Sequence, residues 1–145
     1  MTAPTIWQLI PAIYSLLSGK TALTAKLGTY LTKTCIFTGN MIPSSAPKPY
    51  VHIRVPSGII DEGGKSYTVW TTSIEILVVS DDIESSKELI DIVDLIVGYL
   101  HKEDLTLTLT TDSHLHTSCV GMNSANTSND LIGTILTFNL TYANA

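Results

Sequence analysis

The chain has 145 residues, of which 44% are hydrophobic and 14% charged. That is the length of one domain, with enough apolar material for a core and too little charge for a disordered chain. The formal net charge is −5, and the eight basic residues form no run, which argues against gripping nucleic acid through a clustered basic face.

So little charge leaves Thr, Ser, Asn and apolar side chains to cover much of the surface, which suits burial against copies or partners. An acidic chain of this kind can still line a channel through which DNA slides without binding it. Cys35 and Cys119 stand far apart and outside any CxxC pattern, as expected of reduced, partly buried thiols. Met1-Thr2-Ala3-Pro4 has neither the basic start nor the apolar stretch of a signal peptide, and no window is apolar enough to span a membrane.

Ile6, Leu9, Ile10, Ile13, Leu16 and Leu17 fall on one face of a first helix, with Thr5 as N-cap and Gly19 as stop. Pro11 interrupts it, so either a kink or a late start is expected there. Thr21 to Leu27, closed by Gly28, predicts a short second helical piece. Residues 35–49 are rich in Gly, Asn, Ser and Pro and read as turns. Tyr50 to Val55 alternates, with Val51, Ile53 and Val55 inward and Tyr50, His52 and Arg54 on the polar face of a half-buried strand.

Pro56 to Lys65 reads as a loop carrying Asp61 and Glu62 between glycines. Tyr67 to Ser80 predicts the longest strand; its second face turns apolar at Leu77 and Val79, so that side should become covered part-way along. Ser85 to Leu100 is the clearest helix, with a Ser85/Glu88 capping box and Leu89, Ile92, Val93, Ile96 and Leu100 at helical spacing. Leu105 to Thr111 alternates Leu and Thr as a strand, which His114 to Met122 extends after a bend. Gly121 to Asp130 is polar and small and reads as an exposed loop, and Ile132 to Tyr142 gives a last alternating strand. The fold class is therefore α+β: a mainly antiparallel sheet of about four strands with two helices on one face, as a single domain over residues 1–145.

The search for reactive chemistry is nearly empty. No phosphate loop, GxGxxG, HExxH or GxSxG motif occurs. His114 and His116 would share a strand face, yet lack companions at ligand spacing, so the preferred reading is two exposed histidines. Cys119 beside them has nothing to mark it as an activated nucleophile. Asp91 and Asp94 sit on the wet side of the second main helix, where carboxylates normally serve only as solvated charges. The expectation is no enzyme, no cofactor and no metal.

Two segments together resemble a known family. One is Ile13-Tyr14-Ser15-Leu16-Leu17-Ser18 with Ala22-Leu23-Thr24-Ala25 and Leu27-Gly28; the other is Ile36-Phe37, a Pro-rich turn and Pro49-Tyr50-Val51. With a strand ending near Val78, a helix led by Glu84 and Ser85, and a closing strand at 132–142, residues 6–142 resemble the tail-terminator (tail-completion) proteins of long-tailed bacteriophages. Pro11 and the Asn/Ser-rich stretch before the last strand depart from that pattern.

The resemblance implies a virion protein of the tail and neck, assembled in the bacterial cytoplasm. It implies a homo-oligomeric ring, usually hexameric, on the head-proximal end of the tail. Such a ring ends tail-tube polymerisation, meets the tube protein and the head–tail connector, and passes DNA through its lumen. It implies no catalytic residue. Its working surfaces map onto Asp61, Glu62 and Lys65, as a lumen or ring-contact loop, and onto Leu105, Leu107 and Leu109, as an interface strand. A head-completion or neck adaptor, and a non-viral α+β binding module, are the competing readings.

Overall fold

A computed structural model of the chain describes residues 6–39, 42–43, 47–54, 60–62, 69–81, 87–101, 112–128 and 131–144. Helix α1 runs Ile6–Ser18 and continues through Pro11 as one element. Leu9, Ile10, Ile13 and Leu17 are buried, whereas Pro11 is exposed. The proline ring thus lies on the solvent side, where its missing N–H and bulk leave the packed face intact. Gly19 closes the helix, its N–H donating to the Ser15 carbonyl at 3.3 Å. The expected cap at Thr5 lies outside the described residues.

The short helical piece, α2, is a single turn at Thr21–Thr24. Beyond it the chain tightens to three-residue bonds, with Lys26 N–H donating to Leu23 O at 3.0 Å and Leu27 N–H to Thr24 O at 3.3 Å. Leu23 and Leu27 are still carried into the core. Next comes a small hairpin, β1 (Thr29–Tyr30) and β2 (Lys33–Thr34), which stands as its own two-stranded sheet.

Among the described residues the main sheet has six strands: β3 (Ile36–Phe37), β4 (Tyr50–Arg54), β5 (Ile60–Glu62), β6 (Val69–Ser80), β7 (Asp112–Ser128) and β8 (Leu131–Asn144). Its order is β3-β4-β6-β8-β7, and β5 pairs with β6 on the edge that β4 also uses. Every pairing is antiparallel except β3 with β4. Helix α3 (Lys87–Leu100) buries Leu89, Ile92, Val93, Ile96 and Leu100, the five positions expected from its period. These join Ile74, Ile76, Leu136 and Phe138 in one apolar cluster with α1 and α2. All three helices therefore cover the same sheet face.

Four expectations need correction. Among the described residues the sheet has six strands rather than about four, with one parallel pair in an otherwise antiparallel arrangement, and the short helical piece joins the two expected helices as a third. Ile36–Phe37, read as the start of a turn region, is a strand parallel to β4, because Ile36 opposite Val51 is buried in the core. Residues 60–62, read as loop, pair with Thr72, Thr71 and Trp70 of β6. The polar stretch after Gly121 is strand through Ser128, because pairing with β8 satisfies the backbone whether or not the side chains are apolar.

The second face of β6 does become covered: Leu77 and Val79 are buried along with Ile74, Ile76 and Val78. The capping box at Ser85 and the strand at Leu105 to Thr111 lie outside the described residues. Glu88, the expected box partner, accepts a hydrogen bond from Ser80 Oγ at 3.4 Å. Gly98 sits exposed inside α3, with nothing within 4 Å of where a Cβ would stand. Gly98→Ala is therefore expected to raise stability by about 0.5–1 kcal/mol, since alanine costs less chain entropy in a helix. A urea midpoint shifted upward at unchanged slope checks this.

Candidate functional site

The residues that could carry chemistry are held apart or used structurally. Cys35 is fully buried, and burial pushes its thiol above the usual range, the wrong direction for a nucleophile. Cys119 is half-buried, and its Sγ donates weakly to the Gly121 carbonyl at 3.7 Å. The Cys119 backbone N–H donates to His101 Nδ1 at 2.8 Å. This ties the residue just after α3 to the middle of β7. It uses the ring nitrogen as an acceptor and therefore places the proton of a neutral imidazole on Nε2.

His114 and His116 both lie on β7. The register shifts between them, so that His114 stands opposite Tyr142 and His116 opposite Thr141, neighbouring positions on β8. No group of three or more metal-ligating side chains occurs among the described residues. No helix is long and apolar enough to cross a membrane, among the residues searched.

Sequence reasoning placed His52 on the polar strand face, yet it is buried, with Nε2–H donating to the Gly39 carbonyl at 2.6 Å. It pins the chain after β3 onto the second sheet face. Tyr30, Phe37 and Tyr50 continue this cover as two successive edge-to-face contacts, at 6.4 and 5.8 Å between centroids. Farther along that face, Arg54 Nε donates to Glu75 at 3.0 Å and Ser73 Oγ donates to Asn139 at 2.8 Å. Among the described residues, the sheet side opposite the three helices is thus apolar at one end and polar at the other.

What the molecule presents outward is more informative than its polar clusters. Among the described residues, four large apolar side chains are exposed: Leu31 at 77%, Ile90 and Val120 at 55%, and Met122 at 56%. Val120 and Met122 sit on β7, at one edge of the sheet, beside a register shift. Leu31 forms the turn of the β1–β2 hairpin with Thr32, and both have positive φ, 49° and 66°. A two-residue turn of that shape normally carries Asn-Gly, and a leucine followed by a β-branched threonine holds it under strain. No short motif announces Leu31 in the sequence; the turn geometry identifies it.

Of the residues expected to make ring contacts, Asp61 and Glu62 are on β5, opposite Thr71 and Trp70. Lys65, Leu105, Leu107 and Leu109 lie outside the described residues.

The fold is shared with a chain of a gene transfer agent virion. That solved structure, described as the virion of native gene transfer agent particle, matches with a TM-score of 0.78 and 16% sequence identity, over 99% of this chain and 100% of that one. A second solved structure, whose chain carries no functional name, matches with a TM-score of 0.58 and 11% identity, over 99% and 97%. At these identities the likeness is one of fold. No protein-family profile matches the chain, and no curated protein matches it.

Proposed function

We propose that this chain is a structural virion protein that forms a ring at the head-proximal end of a phage tail. There it ends tail-tube polymerisation and joins the tail to the head connector. The observation that carries the reading is the full-length match of its fold to a gene transfer agent virion chain. The resemblance of residues 6–142 to tail terminators points the same way and supplies the finer assignment, including a ring of six. Exposed apolar side chains on a sheet edge and on a hairpin turn suit a chain that works by contact with copies of itself.

In this reading the protein is not an enzyme and holds no cofactor. Asp61, Glu62 and Lys65 face the lumen or an adjoining ring, and Leu105, Leu107 and Leu109 belong to a subunit interface. DNA passes through the lumen without specific binding, since net negative charge repels phosphate. Cys119→Ser and His116→Ala are expected to leave assembly and particle infectivity unchanged. A large loss of infectivity with normal assembly would argue for chemistry at this strand instead.

The function is tested by deleting the protein from the particle's genome and imaging the products. A tail terminator predicts tubes of uncontrolled length and heads without tails. Tails of normal length beside unjoined heads would move the protein to the neck adaptor. Intact, infectious particles would remove it from tail assembly.

A further inference from the structure

Two histidines of this chain hold a backbone group across the fold, and their rings play opposite parts. His52 donates from Nε2 to the Gly39 carbonyl, which a neutral and a protonated ring can both do. His101 accepts: the Cys119 N–H donates to its Nδ1 at 2.8 Å. An imidazole accepts only through a nitrogen that carries no proton, so this bond exists only while the ring is neutral. His101 is exposed, so a proton from solvent reaches the ring without any part of the fold opening first.

We infer that His101 is a pH-operated latch between the end of α3 and β7, closed while the ring is neutral and opened by protonation at Nδ1. Protonation turns the acceptor into a second donor, which then faces the Cys119 N–H, and the two repel. His101 stands one residue beyond α3, and its own N–H donates to the Val97 carbonyl at 2.8 Å. Its backbone thus continues the helix, while the ring reaches a strand residue 18 positions on. Cys119 lies at a register shift: Cys119 and Gly121 stand opposite Phe138 and Thr137, with Val120 unmatched between them. Among the described residues β7 is the last strand of the sheet path, so an opened latch leaves this N–H to water or to a new acceptor.

Other ionisable groups near α3 have to be told from the ring. Of the strands packed on α3, β8 carries only Tyr142, and the carboxylate of β6, Glu75, pairs with Arg54 on the other sheet face. The turn of α2 carries none. On β7 the thiol of Cys119 is turned to the Gly121 carbonyl, and Asp112, His114 and His116 lie farther along the strand. On α3 itself, Lys87 and Glu88 are at the far end, Asp91 meets Lys26, and Tyr99 has Lys20 over its ring. Asp94 lies about two turns before His101 on the same side of the helix.

The latch is tested by nuclear magnetic resonance of the full-length chain, followed from about pH 8 down to about pH 5, the span over which imidazoles change charge. At the upper end, the ring nitrogen shifts of His101 should place its proton on Nε2. As the ring takes up a second proton, the Cys119 amide should shift with the same midpoint. It should also lose about tenfold of its protection from hydrogen exchange, corrected for the intrinsic pH dependence of exchange. His101→Ala removes the acceptor at an exposed position, so the Cys119 amide should be unprotected at every pH, with the rest of the spectrum that of the folded chain. His114→Gln combined with His116→Gln should keep the wild-type response. A proton on Nδ1 at the upper end, a Cys119 amide indifferent to the titration of the ring, wild-type protection in His101→Ala, or a response lost with His114 and His116 would each overturn the latch. All of this is read on the chain by itself, so the result is separate from whether copies form a ring on a tail.

Discussion

Replacing Phe138 by Ala is expected to lower the unfolding free energy by about 3–5 kcal/mol, and Ile92→Ala by about 2–5 kcal/mol. Phe138 is 1% exposed and stands on β8 opposite Ile74, in the strand pair that lies under α3. Ile92 is fully buried on the α3 face that meets this pair. Truncating either residue removes transfer free energy and leaves a cavity between a helix and two strands tied by a long register. The sheet cannot close that gap without breaking its pairing with β6 and β7. Urea denaturation checks the result; unchanged midpoints in both variants would mean that the core does not join α3 to the centre of the sheet.

Gly28→Ala is expected to destabilise by about 1–3 kcal/mol, the opposite sign to Gly98→Ala. A Cβ on Gly28 would stand 2.8 Å from the Pro47 Cβ and 3.3 Å from its carbonyl carbon. Neither side can easily yield. The Gly28 N–H donates to Pro49 O at 3.0 Å, and its carbonyl accepts from Cys35 N–H at 2.9 Å. The proline ring has no alternative rotamer to retreat into. This residue therefore closes the chain after α2 against the entry to β4. A stability equal to wild type would show that these two segments are not in contact. Paired measurement of the two glycine variants cancels what a Gly→Ala change does to the unfolded chain, because both share it.

The parts of the fold that sequence revealed are those where burial repeats with a regular period. Helix α3 shows this well: the same five side chains that recur at helical spacing are the ones buried. The change of β6 from one covered face to two was also visible, in the step from Glu75 to Leu77 and Val79. Elements held by backbone pairing alone left no such trace. Asn123 and Ser124 are exposed, yet they sit in strand because they run in antiparallel register with Ile135 and Thr134 of β8. Ile36–Phe37 is too short to show alternation, and its parallel pairing depends on where the chain returns.

The candidate surface was legible only in part. His52 alternates with inward residues and so reads as polar-facing, but the chain at Gly39 folds back over it. Leu31 could not be selected from composition, because one exposed leucine is ordinary until the turn beneath it is seen to be strained.

The central claim is most directly tested by a density map of the complete particle, resolved well enough to trace this chain. A closed ring of copies between the end of the tail tube and the head connector, enclosing a channel wide enough for duplex DNA, is the predicted result. Copies that sit on the particle singly, or a chain missing from both the neck and the tail end, would contradict it.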